Sequence, residues 1–182
     1  MNTTILLNSG NYFDFADVDH SVLSIEDIAH GLSLSCRFSG QCNKFYSIAE
    51  HSYWVSIMVP EEYALVGLLH DASESVLQDM VKPLKNMMPE YRAMEENVER
   101  KIARDYDLPF PYPPEIKEAD VRMLITEQRV LFKSGSFDQK IWDKVSPYTQ
   151  EEVDISCWSW HEAEQVFLTR YRDLTGKKCN GY

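Results

Sequence analysis

Leu68-Leu69-His70-Asp71-Ala72 places an imidazole and a carboxylate side by side in a run that is otherwise apolar. The run extends a helical pattern. Pro60-Glu61-Glu62 offers proline and acids for a first turn, and Ala64, Leu65, Leu68, Leu69 and Ala72 follow at helical spacing, which predicts one helix reaching Leu77. Gly67 within it points to close packing against another backbone. An aspartate in such a stretch is buried, and a buried carboxylate without a partner costs several kcal/mol. A divalent cation is the economical partner, since imidazole and carboxylate are both ordinary ligands for one. Histidine is scarce, five in 182 residues, and a second one, His51, also stands in a predicted helix beside an acid, Glu50. A further acid, Asp120, has apolar neighbours in Ala119-Asp120-Val121.

Working outward, the elements are mostly helical. Ser24, Ser47 and Ser159 each precede an acid by three residues and open helices as capping boxes, over about 24–35, 47–59 and 159–175, the last stopped by Gly176. Further helices begin at Pro89 and at Pro114, the second running to about Lys133. The stretch Gln78–Met88 reads as a loop, and 134–158 as loop with one short helix. Only Thr3–Phe15, with Asn8-Ser9-Gly10-Asn11 at its centre, reads as a β-hairpin, too small to stand without helices to pack on. The expectation is an all-α single domain with a short N-terminal hairpin, its core over about 20–132 and the final helix packed on it.

Composition supports a folded interior: 44% of residues are hydrophobic and 12% aromatic, enough for a core without disulfides. Cys36, Cys42, Cys157 and Cys179 form no C-x-x-C pair and read as reduced thiols of a cytoplasmic protein. No secretory n-region precedes Asn8, and no apolar run is long enough for a bilayer. The net charge of −11 repels polyphosphate chains, which argues against a nucleic-acid partner and means that any nucleotide must be met by a local cluster of cations.

The set His51, His70-Asp71 and Asp120 resembles the H…HD…D signature of the HD superfamily of phosphohydrolases. Other stretches extend the likeness: Phe13-Asp14-Phe15-Ala16-Asp17, Ile25-Glu26-Asp27-Ile28-Ala29-His30, Arg37-Phe38-Ser39-Gly40, Tyr46-Ser47-Ile48-Ala49-Glu50-His51-Ser52 and Lys82-Pro83-Leu84-Lys85. Together they are similar to the subgroup containing phage dATP triphosphohydrolases and related bacterial deoxyribonucleoside 5′-monophosphatases. The likeness spans roughly residues 5 to 132.

That resemblance implies an HD-type helical bundle in which His51, His70, Asp71 and Asp120 hold one divalent transition metal, with zinc, cobalt and manganese ahead of iron or nickel and a further magnesium riding on the substrate phosphates. It implies catalytic roles for Glu74, as an acid or base one turn beyond His70, and for Asp79. Arg37, Lys82 and Lys85 would clamp phosphate, and Phe38 and Pro83 would sandwich the base. The substrate would be a deoxynucleotide, first dATP, cleaved to deoxyadenosine and triphosphate as in phages that replace adenine by 2-aminoadenine. Alternatives are a 5′-monophosphatase and a nucleotide-binding module without turnover. The assembly would be a homo-oligomer, a dimer or a hexamer. No histidine lies between Asp71 and Asp120, which argues for a mononuclear site, and Glu74-Ser75 lacks the acidic pair of alarmone hydrolases. Related dATP enzymes resemble tryptophan at the position of Phe38, so the indole donor is missing here. His20, His30 and His161 read as structural, with His30 facing the core, and Trp142, Trp158 and Trp160 read as core or subunit contacts.

Overall fold

The computed structural model describes residues 2–133, 146–149 and 151–177. A hairpin of β1 (Thr4–Leu6) and β2 (Tyr12–Asp14) pairs antiparallel in the register Ile5 opposite Phe13. Helices follow: α1 (Ile25–Leu34), α2 (Ile48–Met58), α3 (Ala64–Leu69), α4 (Glu74–Leu77), α5 (Lys82–Lys85), α6 (Pro89–Asp105), α7 (Pro114–Leu131) and α8 (Trp160–Thr175). The fold is therefore all-α with a short N-terminal hairpin. Among the described residues no helix is long and apolar enough to cross a membrane.

All three serine caps form: Ser24, Ser47 and Ser159 accept from the backbone N–H groups of Asp27, Glu50 and Glu162. The helices they start enclose one core. The hairpin contributes Phe13, α1 Ile28 and Leu32, α2 Ile48, α3 Leu68 and Leu69, and α8 Phe167, all fully buried. Each such side chain contributes about 1.5–3 kcal/mol by leaving water. A second cluster joins Val55 and Val66 to Ile116 and Met123 of α7, closed by Tyr148 and Val153. Gly67 lets α3 settle on α2, for a Cβ there would stand 3.0 Å from Ser56 Cα and 3.1 Å from Val59 Cγ2.

Three sequence expectations need correction. The helix expected to run unbroken to Leu77 is interrupted over residues 70–73 by tight turns, with Ala72 N–H donating to Leu69 O and Glu74 N–H to Asp71 O. The Gly67 carbonyl, which a continuous helix would offer to residue 71, accepts instead from His70 Nδ1 at 2.8 Å. Glu74 thus opens its own short helix rather than sharing a regular helical face with His70. Lys82-Pro83-Leu84-Lys85, read as loop, is the short helix α5. His30 is half-buried with Nδ1 3.2 Å from Glu164 Oε1, not turned wholly into the core.

The short helix anticipated in 134–158 is absent from 146–149 and 151–158, and its remaining positions lie outside the described residues, as do Trp142 and Cys179. Trp158 does pack internally, stacked on Trp54 with centroids 6.3 Å apart. Trp160 is 45% exposed. Cys36, Cys42 and Cys157 are free thiols.

Candidate metal centre

His51 enters from the first turn of α2, where the Ser47 cap fixes the helix start and buries the imidazole completely. His70 and Asp71 come from the turn after α3, and Asp120 from the second turn of α7. One ligand atom each from His51, His70 and Asp120 lie within 4.8 Å of one another. Asp71 is the outer member, its Oδ2 3.2 Å from His70 Nε2, 3.6 Å from His51 Nε2 and 3.5 Å from Arg37 Nη1.

The imidazoles are held by their far nitrogens. His51 Nδ1 lies 2.6 Å from Glu127 Oε1, and His70 Nδ1 meets the Gly67 carbonyl. With Nδ1 donating in both rings, each Nε2 is the nitrogen left for a cation or a proton. Both Nε2 atoms are buried without a hydrogen bond, although His51 Nε2 is only 3.3 Å from Asp120 Oδ1. Buried polar atoms are otherwise almost always satisfied. Two imidazole nitrogens that stand 3.2–3.6 Å from carboxylates, close enough for ion pairing but without good hydrogen-bond geometry, have the arrangement of ligands to a shared cation. The donor set, two imidazoles with two carboxylates, fits a divalent transition metal.

The electrostatics agree. Burial pushes the Asp71 carboxyl up, but His70, His51 and Arg37 outweigh it and hold the group well below the usual carboxylate range. Burial likewise opposes Asp120, which His51 pulls below its ordinary value. At His51, burial and the Arg37 charge press downward, yet Glu127 and Asp120 raise the imidazole to about 9. Glu74 behaves in the opposite way. Its burial, followed by the charges of Asp71 and Asp79, lifts it well above the ordinary glutamate value, which favours the protonated form. Its Oε2 is buried without a partner.

The other residues read from the sequence divide into two groups. Arg37 is 7% exposed, with Nε 3.1 Å from Glu127 Oε2. Phe38 stands beside it, edge-on to Phe132 at 5.1 Å. Phe38, Ser39 and Gly40 all have positive φ, at 57°, 50° and 71°. Such a conformation costs a non-glycine residue about 1–2 kcal/mol. The turn is held by Gly40 N–H to Arg37 O and by Asp79, whose Oδ2 accepts from the Phe38 N–H at 3.2 Å. Asp79 therefore pins this turn as well as acting on Glu74. Lys85 reaches Glu74 at 3.9 Å and Glu95 at 2.5 Å. Lys82 and Pro83 stand apart from this network, exposed on α5.

Two buried acids escaped the sequence reading. Glu127 is fully buried two helical turns after Asp120, a spacing of seven that puts both on one face of α7. Glu50 reads in the sequence as a cap partner and as the acid beside His51, not as a buried group with distant partners. It is fully buried, and its two carboxylate oxygens accept from the N–H groups of Cys157 and Trp158, at 3.1 and 2.7 Å.

Fold and site together define a helical domain with a two-histidine, acid-flanked centre able to hold a metal ion. No family model matches the chain. YfdR of Escherichia coli K12 is 37% identical over 174 residues, covering 94% of this chain and 96% of YfdR. RCAP_rcc00048 of Rhodobacter capsulatus is 36% identical over 181 residues, covering 91% and 92%. Both bear the description "uncharacterized protein". The chain belongs to the family of YfdR.

Proposed function

We propose that this protein is a metal-dependent phosphohydrolase of the HD superfamily that cleaves a phosphate ester of a deoxynucleotide. The observation that carries the reading is the pair of buried, unbonded Nε2 atoms of His51 and His70 facing Asp71 and Asp120. Those four residues would hold the ion, with zinc, cobalt and manganese the best matches to the donor set. When bound, such an ion withdraws charge from phosphorus and makes water acidic enough to attack it at neutral pH.

The protein's own groups supply the rest. Glu127 and the Gly67 carbonyl orient the two imidazoles. Arg37, Lys85 and Lys82 furnish positive charge for phosphate, and Phe38 offers a ring face to the base. Glu74, its carboxyl shifted toward the protonated form and its Oε2 unpartnered, would give a proton to the departing 5′-oxygen of the deoxynucleoside.

Two substrates fit this chemistry: dATP, yielding deoxyadenosine and triphosphate, and a deoxynucleoside 5′-monophosphate, yielding orthophosphate. Cation balance favours the monophosphate. Arg37 already lies against Glu127 and Asp71, and Lys85 against Glu95 and Glu74. Of the three clamp cations, only Lys82 makes no ion pair among the described residues. A triphosphate would draw on more free positive charge than this.

Incubation of the purified protein and Co²⁺ with dAMP, dGMP, dATP and dGTP, followed by product analysis, decides. Orthophosphate from the monophosphates is expected. Triphosphate from dATP would move the assignment to the other substrate, and no product from any of them would overturn the hydrolase reading.

A further inference from the structure

Glu127 stands outside the four candidate ligands, yet like Asp71 it touches both halves of the site. Its Oε1 is 2.6 Å from His51 Nδ1, and its Oε2 is 3.1 Å from Arg37 Nε. It is fully buried, and both partners are buried with it. Burial opposes its charge, yet Arg37 and His51 keep it ionised. Removing one member of such a buried set leaves another uncompensated. Its helix adds a second tie, because Leu131 O at the end of α7 accepts from Asn43 N–H of the loop that carries Arg37 and Phe38.

We propose that Glu127 is a positioning residue that couples the metal ligand His51 to the substrate cation Arg37. Through Oε1 it fixes the His51 tautomer, so that Nε2 is the nitrogen turned toward Asp71 and Asp120. Through Oε2 it holds the inner edge of the guanidinium and leaves the Nη edge for the reacting side, where Nη1 already lies 3.5 Å from Asp71. One side chain thereby sets the register between the ion and the anion-binding group.

The inference rests on the metal reading of the site but not on hydrolysis, and its first test needs no substrate. Co²⁺ titrations followed by visible absorption would compare wild type with Glu127→Gln, Glu127→Asp and Arg37→Gln, and with the double variant Glu127→Gln/Arg37→Gln. Glu127→Gln keeps the shape and loses the charge. It is expected to weaken Co²⁺ binding about 10–100-fold and to shift the absorption bands, the usual consequence of losing an outer partner of a ligand histidine. Glu127→Asp should restore part of that loss. The effect of Glu127→Gln should persist in the Arg37→Gln background, because it acts through His51. Deoxynucleotide KM should rise in Glu127→Gln and rise little further in the double variant, because Glu127 also acts through Arg37.

The proposal falls if folded Glu127→Gln binds Co²⁺ within about twofold of wild type with an unchanged spectrum. It also falls if its effect on Co²⁺ disappears once Arg37 is replaced, since Glu127 would then only neutralise the guanidinium. Should wild type bind Co²⁺ yet release no product, the hydrolase reading fails while the Co²⁺ comparison still decides the role of Glu127.

Discussion

The ligand side of the centre and the clamp side differ in how much of the fold is committed to them. His51, Glu127 and Glu50 are fully buried, and each has named partners on a different element. Across the site, α5 and the residues after it are exposed, with Leu84 at 46% and Met87 at 79%. Buried ionised groups tolerate little slack, because a partner lost is an unpaired charge in a medium of low polarity. Exposed lysines keep their water and their freedom to move. The difference assigns precision to the metal side and to buried Arg37, and adaptability to the Lys82 end of the phosphate side.

The contrast can be broken most directly at Asp71. Asp71→Ala should lose Co²⁺ binding by more than the ~10–100-fold of an outer-partner change, and turnover with it. Parallel absorption titrations and product assays check this. A module that binds nucleotide without turnover would show the first loss and have no second one to show.

A smaller effect compares packing on the two sides. Gly67→Ala drives a Cβ into Ser56 and Val59 beneath the ligand turn, which should cost about 1–3 kcal/mol in urea unfolding. Met87→Ala on the exposed side should stay within about 0.5 kcal/mol. Equal losses would remove the distinction between a committed side and an adaptable one.

The smallest effect lies between the two, at half-buried Glu99. Its burial, followed by the charges of Glu95 and Asp71, raises its carboxyl to about 7 from an ordinary 4.5. In the fold the neutral form is favoured, so the unfolded chain gives up this proton first as pH rises. Stability therefore falls between pH 4.5 and 7 and stays reduced above. Glu99→Gln should match wild type at pH 4.5 and exceed it at pH 8, by no more than about 1 kcal/mol given its contact with solvent. Metal-free unfolding curves at the two pH values test the sign.

Much of this was legible in the sequence because the signals are local. The serine caps, the hairpin turn and the His70-Asp71 pair each declare themselves within a few residues. The interruption after Leu69 was not legible, since the apolar spacing from Ala64 onward continues smoothly; at the break, the His70 side chain bonds the Gly67 carbonyl. Glu127 reads as an ordinary polar position in Thr126-Glu127-Gln128, and only its spacing of seven from Asp120 marks it. Glu50 carried a plausible local role as a cap partner, while its actual partners lie more than a hundred residues further along the chain. Of the clamp, the sequence picked out the cations. It could not show that Arg37 and Lys85 already have acids beside them, because those acids come from α3–α4 and from α6 and α7.

The bond from Glu50 to the amides of Cys157 and Trp158 has a consequence for how short the protein can be made. Arg170 of α8 ties down in the same quarter, donating to Ser56 through Nε and to its carbonyl through Nη2. A chain stopped at Lys133 would leave the neighbour of His51 with no amides to receive, and would open the seats of Phe167 and Trp158 to water. The smallest unit that keeps the histidine in place runs through the final helix, so the tail of the polypeptide serves as the foundation of its centre.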